Sequence, residues 1–333
     1  MNTDRTPRSR SRRQLLLQGG AALSAIGGAG LLYRTWPRSP TNAATTTIRI
    51  PKPPTEDTPY PYDPMQVLRA FDWGQMITED GRSIRQFEVT ANSMPVQLNA
   101  AVSYVTWTLN NRLPGPTFRA KMGDRCRVIF HNADATSHSL HFHGVHPADM
   151  DGIKPVRRGK TFVYEFDVEQ YGLFPYHCHI APVAHHISKG LSGLLIVDPP
   201  EGRPPADELV LIMGGYDLKQ RGKNDLYAFN GIPNFYRDRP IQIYQNQLVR
   251  VYLLNMIEFD HAITFHIHGN LFSVYPTGHT LTPREATDVI TLGIAERHML
   301  EFTYKHPGMY MFHPHQDEIA DRGCMGHFQV LPA

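Results

Sequence analysis

The chain contains the stretch Gly172-Leu173-Phe174-Pro175-Tyr176-His177-Cys178-His179, and the pattern returns as Gly308-Met309-Tyr310-Met311-Phe312-His313-Pro314-His315. A second pattern, His141-Phe142-His143-Gly144, likewise returns further along as His266-Ile267-His268-Gly269. The two patterns keep their order, and the repeat is far longer than the roughly 20–50-residue units of solenoid proteins. The chain is therefore expected to contain two copies of one domain.

Each of these four stretches holds a His-x-His pair. In a β-strand, residues two apart point to the same face, so each pair offers two imidazoles side by side. Eight imidazoles are too many for a single zinc site, which about four ligands satisfy. Imidazole also suits copper, and one Cys with two His is the equatorial ligand set of a blue-copper site. Because Cys178 lies between two His, the chain is predicted to combine such a site with a multi-copper cluster.

Short strand-like stretches, separated by turns rich in Gly and Pro, follow one another through most of the chain. The clearest are Ser83–Ala91, Cys126–His131, Thr161–Val168, Gly193–Val197, Glu208–Met213, Leu248–Asn255, His298–Tyr304 and Phe328–Leu331. Many short strands at this spacing are typical of β-sandwiches. The run Pro199-Pro200-Glu201-Gly202-Arg203-Pro204-Pro205 predicts a linker. We therefore expect an all-β protein with one domain at 60–200 and a second at 206–333.

Positive charge is concentrated at the N-terminus. Residues 1–44 hold seven Arg and one Asp, although the whole chain has a net charge of only +2. Ser11-Arg12-Arg13-Gln14-Leu15-Leu16 precedes an apolar run over 19–33, which is the layout of an export signal and resembles the twin-arginine motif. We expect export to the periplasm or the extracellular space by this route; an ordinary signal and an uncleaved membrane anchor are the alternatives. Nucleic acid is not an expected partner, because the rest of the chain has no basic patch.

The three cysteines are too few for a disulfide framework. Cys178 belongs to the His-Cys-His motif. Cys126 lies in an alternating run and is expected to be a buried free thiol, while Cys324 is expected to belong to a core.

The four His pairs and their flanking glycines resemble those of the multicopper oxidase family, in particular its two-domain, laccase-like members. Ahead of the first pair, Val105-Thr106-Trp107-Thr108-Leu109-Asn110-Asn111-Arg112-Leu113-Pro114-Gly115-Pro116-Thr117 is also similar to a family signature. The resemblance covers nearly everything after residue 60. It implies two cupredoxin-like Greek-key β-sandwich domains and four copper ions per chain: one type 1, one type 2 and two type 3.

The resemblance implies a type 1 (blue) site in the first domain. Its ligands would be His138, Cys178 and His186, with Leu191 at the axial position. His186 is favoured over His185 because it has the family's spacing to Leu191, but the loop after Cys178 is longer than usual and leaves the choice open. A Leu does not coordinate, so the copper potential is expected to be high. The second domain lacks this site, because Ile263 and Pro314 replace the first His and the Cys.

The other eight His resemble the ligands of a trinuclear cluster. The correspondence assigns His141 and His266 to the type 2 copper; His143, His177 and His315 to one type 3 copper; and His179, His268 and His313 to the other. Electrons would have a short covalent route, since Cys178 is bonded on either side to a cluster His.

Reduction of dioxygen consumes protons, so acids near the cluster are candidate catalytic residues. Asp151, followed by Gly152, resembles the family's acid at the type 2 site and is the first candidate, Asp149 is the second, and Glu318 and Asp317 are weaker ones. A proton donor must reach the reacting oxygen, which spacing alone does not establish.

These features predict an oxidase that couples one-electron oxidation of a phenolic or metal-ion donor to four-electron reduction of dioxygen to water. One alternative is a copper nitrite reductase, whose mononuclear type 2 site needs three His. Another is a non-catalytic copper carrier. With no middle domain between the two halves, the resemblance implies a homotrimer in which domain 1 of one chain meets domain 2 of the next and the cluster forms between them.

Overall fold

The structure is a computed structural model that describes residues 47–51 and 60–333. The predicted export segment at 1–44 lies outside the described residues. None of the helices in the described ranges is long and apolar enough to cross a membrane.

Residues 60–198 form two sheets, two short α-helices and one 3-10 helix at Ala148–Met150. The strands are β1 (Phe71–Asp72), β2 (Gln75–Glu79), β3 (Arg82–Asn99), β4 (Val102–Leu109), β5 (Thr117–Lys121), β6 (Arg125–Asn132), β7 (His141–Phe142), β8 (Lys160–Asp167), β9 (Gly172–His177) and β10 (Ser192–Asp198); the helices are α1 (Pro64–Val67) and α2 (Val183–Ser188). One sheet has the order β1-β5-β10-β9-β7 and the other β2-β3-β6-β8, with β4 paired to β3. Several neighbours in these sheets are not consecutive in the chain, so connections cross between the layers.

Residues 207–331 form two further sheets. The strands are β11 (Asp207–Tyr216), β12 (Leu226–Phe229), β13 (Ile241–Tyr244), β14 (Val249–Met256), β15 (Ala262–Ile267), β16 (Phe272–Pro276), β17 (Glu285–Thr287), β18 (Val289–Gly293), β19 (Arg297–Phe302), β20 (Gly308–His313) and β21 (Gly326–Leu331); the helices are α3 (Phe235–Asp238) and α4 (Asp317–Asp321). The sheet orders are β12-β11-β14-β19-β16-β17 and β13-β21-β20-β15-β18. The predicted all-β sandwich fold is confirmed.

The sequence repeat reappears as a repeat of strand register. β7 and β9 are antiparallel with His141 opposite His177. β15 and β20 are antiparallel with His266 opposite His313. The same pairing therefore brings two His-x-His motifs together at the end of one sheet in each half of the chain.

The hydrophobic pattern explains where the cores lie. β6 alternates between buried and half-buried residues, whereas every residue of β9 and β14 is buried. Each fully buried large apolar side chain contributes about 1.5–3 kcal/mol to folding. One core lies within the first half, and the core of the second half also includes Leu68, Val96 and Leu113 of the first half. Cys126 and Cys324 are buried and unpaired, as predicted.

A smaller apolar cluster joins the two halves. It combines Leu173 and Ile196 from the first half with Ile212 and Leu254 from the second. Arg119 in β5 extends the contact, because its guanidinium binds Asp198 and Glu208 at 2.9 and 2.6 Å. The two halves therefore pack against each other, although no strand pairing joins them between residues 60 and 333.

Candidate metal centre

Three side chains from separate segments converge on one buried point in the first half. Cys178 Sγ lies 3.2 Å from His186 Nδ1 and 3.9 Å from His138 Nδ1, and the two nitrogens are 3.2 Å apart. His138 and Cys178 are 0% exposed and His186 is 3% exposed. A metal ion with bonds of about 2.0–2.3 Å to nitrogen and sulfur fits among such ligand atoms.

Local backbone structure holds this triad. Cys178 directly follows β9, and His138 is fixed by two backbone hydrogen bonds with Val156, of 3.2 and 2.9 Å. His186 lies on α2. Leu191, which is fully buried, accepts from the amide of Cys178 at 3.0 Å and donates its own amide to the carbonyl of His186 at 3.3 Å. The predicted axial residue is therefore tied by its backbone to two of the three ligands.

The structure also separates the two neighbouring histidines of α2. His186 is in the buried triad, whereas His185 is half-buried and lies outside it, with its ring 5.4 Å from the ring of Trp107. This arrangement gives His186, and not His185, a ligand atom that faces Cys178.

A carboxylate that the sequence pattern did not indicate lies on the side of the His138 ring opposite Cys178. Asp134 Oδ1 approaches His138 Nε2 at 3.4 Å, and Asp134 is itself 5% exposed. It also accepts hydrogen bonds from the Ser93 hydroxyl and, at 2.8 Å, from the Thr136 amide. Burial favours the protonated acid, but the hydrogen bonds from Ser93 and Thr136 and the proximity of His138 outweigh it and lower the pKa of Asp134. Carboxylates in this position orient a ligating imidazole and raise its basicity.

Burial also prepares the imidazoles for a metal ion. It lowers the pKa of His186 to about 4, with the nearby His138 and His185 adding to the effect. Burial likewise lowers the pKa of His138 despite the opposing influence of Asp134. Both rings are therefore uncharged at neutral pH, the form that binds metals.

The first half carries a second ligand set at the ends of β7 and β9. His143 Nε2 lies 2.9 Å from His177 Nε2, and the rings of His141 and His179 are 4.7 Å apart. Burial lowers the pKa of His143 to about 3 and that of His177 to about 4. We call these four residues half-site 1.

The second half repeats this arrangement at the ends of β15 and β20. His268 Nε2 lies 3.0 Å from His313 Nε2, and the rings of His266 and His315 are 5.5 Å apart. His266, His268 and His313 are half-buried, whereas His315 is exposed. We call these four residues half-site 2.

The two half-sites do not merge within one chain. Within residues 47–51 and 60–333, several groups of three side chains have potential ligand atoms that lie within 4.8 Å of one another. None of these groups contains histidines from both half-sites. Each half-site instead presents its own pair of Nε2 atoms at close range. In the ligand set that the family resemblance implies, the pair His143 and His177 takes its third ligand, His315, from the other half. The pair His268 and His313 takes its third ligand, His179, in the same way.

Asp151 is the candidate acid that contacts a half-site. Its Oδ1 lies 2.9 Å from His141 Nδ1 and 3.4 Å from His146 Nε2. Its main-chain carbonyl faces His141 Nδ1 at 3.2 Å and His179 Nδ1 at 3.1 Å. With a third of its side chain exposed, Asp151 connects half-site 1 to solvent.

The other candidate acids are placed differently. Asp149 is exposed on a short 3-10 helix, and Glu318 on α4 is exposed and pairs with Arg322 at 2.5 Å. Asp288 was missed, yet its carbonyl accepts from His266 Nδ1 at 2.8 Å and its carboxylate lies 3.9 Å away. Asp288 therefore lies beside His266 much as Asp151 lies beside His141.

The donor sets fit copper. One set joins a thiolate to two imidazoles, and the other two consist of imidazoles alone, which are the ligands that copper takes in blue and in oxygen-reactive sites. Fold and site together define a copper-dependent redox protein built from two β-sandwiches.

Comparison with known proteins identifies the family. Residues 90–202 and 204–333 each match a multicopper oxidase family model. A crystal structure of a multicopper oxidase is 44% identical to this chain, with a TM-score of 0.80, and the match covers 82% of this chain and 98% of that one. The chain belongs to the multicopper oxidase family, and its sandwiches are cupredoxin-like, as the resemblance implied.

Copper nitrite reductases are also similar. The copper-containing nitrite reductase of Neisseria gonorrhoeae is 27% identical over 259 residues, which cover 71% of this chain and 65% of that protein. The chain thus matches slightly under two thirds of the length of this relative. A copper nitrite reductase from Nitrosomonas europaea, 24% identical with a TM-score of 0.70, covers 74% of this chain and 94% of its own, and shares the fold.

Proposed function

We propose that the protein is an oxidase that takes single electrons from a donor and delivers four of them to dioxygen, forming water. The observation that supports this is the presence of two complete half-sites with four imidazoles each. Eight imidazoles suffice for a type 2 and two type 3 copper ions, whereas the three-histidine site of a nitrite reductase would leave most of them without a role. Copper bound at these positions, four ions per chain, would supply the one-electron redox chemistry.

The chain itself supplies the connection between the two kinds of site. Cys178 directs its sulfur into the triad with His138 and His186. Its neighbours His177 and His179 belong to half-site 1. Electrons received at the triad therefore need to cross only one residue of covalent structure to reach the cluster.

The cluster is proposed to form between chains. Half-site 1 of one subunit would face half-site 2 of the next, so that each of the three copper ions takes ligands from both. Exposed apolar residues adjoin both half-sites: Ile153 is 66% exposed, Leu271 57% and Val289 37%. Their burial in a subunit interface would favour association. A head-to-tail contact closes into a ring when its rotation permits, and we propose a ring of three chains, a homotrimer.

Asp151 is proposed to supply protons for the reduction of dioxygen that the copper ions would carry out. It contacts His141, the proposed type 2 ligand of half-site 1, and keeps one side in solvent. A carboxylate in this position can pick up protons from water and release them toward the reacting oxygen.

The exported location is likewise proposed, from the N-terminal motif. Cell fractionation with the Arg12→Lys, Arg13→Lys double variant checks it.

Metal content and product analysis test the proposed function. We expect four copper ions per chain, blue colour, and four donor electrons consumed per dioxygen with water as the product. Cys178→Ser should remove the blue absorption and donor oxidation but keep the three cluster ions. Two copper ions per chain with nitrite reduction would identify a nitrite reductase instead, and variable copper without turnover would identify a carrier.

A further inference from the structure

Trp107 belongs to the stretch 105–117 that resembles a family signature, yet the proposed function gives it no role. It lies in β4, and its amide donates to the carbonyl of Lys189 at 2.9 Å, which ties the strand to the segment after α2. Its ring centroid is 4.6 Å from that of His186 and 4.9 Å from that of His138. One indole therefore contacts both imidazole ligands of the triad.

The ligands themselves are out of reach of a donor. His138 and Cys178 are fully buried, and His186 is 3% exposed. Trp107 is only half-buried, and its neighbour Val105 is 51% exposed. A molecule that docks on this face of the protein therefore meets the indole before it meets either ligand.

We propose that Trp107 is the residue through which electrons pass from the donor to the type 1 site, its exposed edge touching the donor and its ring touching His138 and His186. The proposal rests on the proposed function only in that the type 1 site accepts electrons from a donor. In each transfer, the donor would lose a single electron, and the same electron would reduce a cupric ion held at that site to cuprous ion. The indole is unchanged at the end, and a proton lost by a phenolic donor goes to water.

The charges around Trp107 bear on which donors it accepts. The nearby carboxylates are buried and already accept hydrogen bonds. Asp134 accepts from Ser93 and Thr136. Asp217 is 3% exposed and accepts from the amides of Arg221 and Gly222 at 2.9 and 2.6 Å. The Lys189 ammonium lies 4.2 Å from the ring of Tyr104 and 5.6 Å from the ring of Trp107. Divalent cations prefer oxygen ligands, so this face suits an uncharged or anionic aromatic reductant better than a metal ion.

An alternative role for the indole is that of a cover that keeps donors away from His186. The two roles predict opposite effects of removing the ring. If Trp107 conducts electrons, a variant without an aromatic ring should be reduced more slowly. If it only covers the site, the same variant should be reduced at the same rate or faster, because the donor then approaches the ligand directly.

The test uses the copper-loaded full chain without oxygen, so that the cluster reaction does not contribute. Reduction of the type 1 site by hydroquinone is followed by stopped-flow loss of the blue absorption. We expect Trp107→Leu to be reduced about tenfold more slowly, a barrier increase of about 1.4 kcal/mol, and Trp107→Phe to keep most of the rate because it retains a ring. Trp73→Phe is the matched control, because Trp73 packs on Arg85 and Arg119, away from the triad.

Two further measurements separate conduction from a structural effect. The type 1 potential and the melting temperature of each variant show whether the site and the fold are intact; a slower rate that follows a changed potential would contradict the proposal, as would an undiminished rate in Trp107→Leu. In the apo protein, cupric ion should quench tryptophan emission in Trp73→Phe and much less in Trp107→Phe, with Trp36 a common background. Equal quenching in both variants would show that Trp107 does not adjoin the type 1 site.

Discussion

Asp134 Oδ1 lies 3.4 Å from His138 Nε2, the imidazole nitrogen opposite the one that faces Cys178. The carboxylate is buried, so its negative charge is poorly screened and acts on the metal through the imidazole. Asp134→Asn keeps the size of the side chain and removes the charge. Because a negative charge favours cupric over cuprous ion, the type 1 potential should rise, and the copper affinity of this site should fall by about 10–100-fold.

Redox titration of the blue absorption and competition with a copper chelator measure these two effects. Asp207→Asn is the control, because Asp207 is also fully buried but pairs with Arg69, away from the triad. An unchanged potential in Asp134→Asn would mean that the carboxylate only shapes the loop.

The axial position offers a second test. Leu191 is buried beside the triad, and Leu191→Met introduces a thioether that can donate to the copper where a methyl group cannot. The type 1 potential should therefore fall, and high-potential donors should be oxidised more slowly. Leu195→Met in β10, at a site that is 1% exposed, controls for repacking of the same core. If both variants keep the original potential, the axial assignment is wrong.

Asp151→Asn tests the proton donor. The amide keeps the size and the contact with His141 but cannot carry a proton, so oxygen should reoxidise the reduced enzyme more slowly, by about 10²–10⁴-fold. Copper content, the blue spectrum and the reduction of the type 1 site should be unchanged, which stopped-flow measurement of the two half-reactions can show. Asp238→Asn is the control, because Asp238 is exposed and pairs with Arg237, outside both half-sites. A normal reoxidation rate would move attention to Asp149, Asp288 or Glu318.

Complementation between chains tests the shared cluster. His143→Ala disables half-site 1 and His268→Ala disables half-site 2, so each variant alone should be inactive. In mixed rings made by co-expression, an intact cluster forms wherever a sound half-site 1 meets a sound half-site 2, which restores about a quarter of the clusters in a random head-to-tail ring. Oxygen uptake per chain measures this recovery. Lack of any recovery in mixed rings, or a fully loaded active monomer, would contradict the shared cluster.

Much of the site could be predicted because its ligands come in repeated local motifs. A His-x-His pair on a strand specifies its own geometry, and the repeat predicts two copies of one β-sandwich domain. The type 1 ligands came from the family resemblance, and the structure brings His138, Cys178 and His186 together. Asp134 lies only four residues before His138, so a search for acids close to the ligands in sequence could have found it.

What escaped prediction depends on contacts between distant segments. Asp288 reaches His266 through a turn between β17 and β18, and Trp107 reaches the triad because β4 packs beside α2. Neither contact has a period or a spacing in the sequence, because strand crossovers and loop conformations decide it. The short helix α2 was also missed, although it positions His186, because six residues are too few to show helical periodicity.

The shared strand register also limits how this chain can vary. Because side chains alternate across a strand, inserting or deleting one residue within β7 or β9 would turn His141 or His177 to the opposite face. Residues 143–171 connect these two strands and include segments that belong to no strand. Such segments can change length without turning His141 or His177 to the other face. Natural length variation among such proteins is thus expected to accumulate in this connection and in the matching one between β15 and β20, while the paired segments stay constant in length.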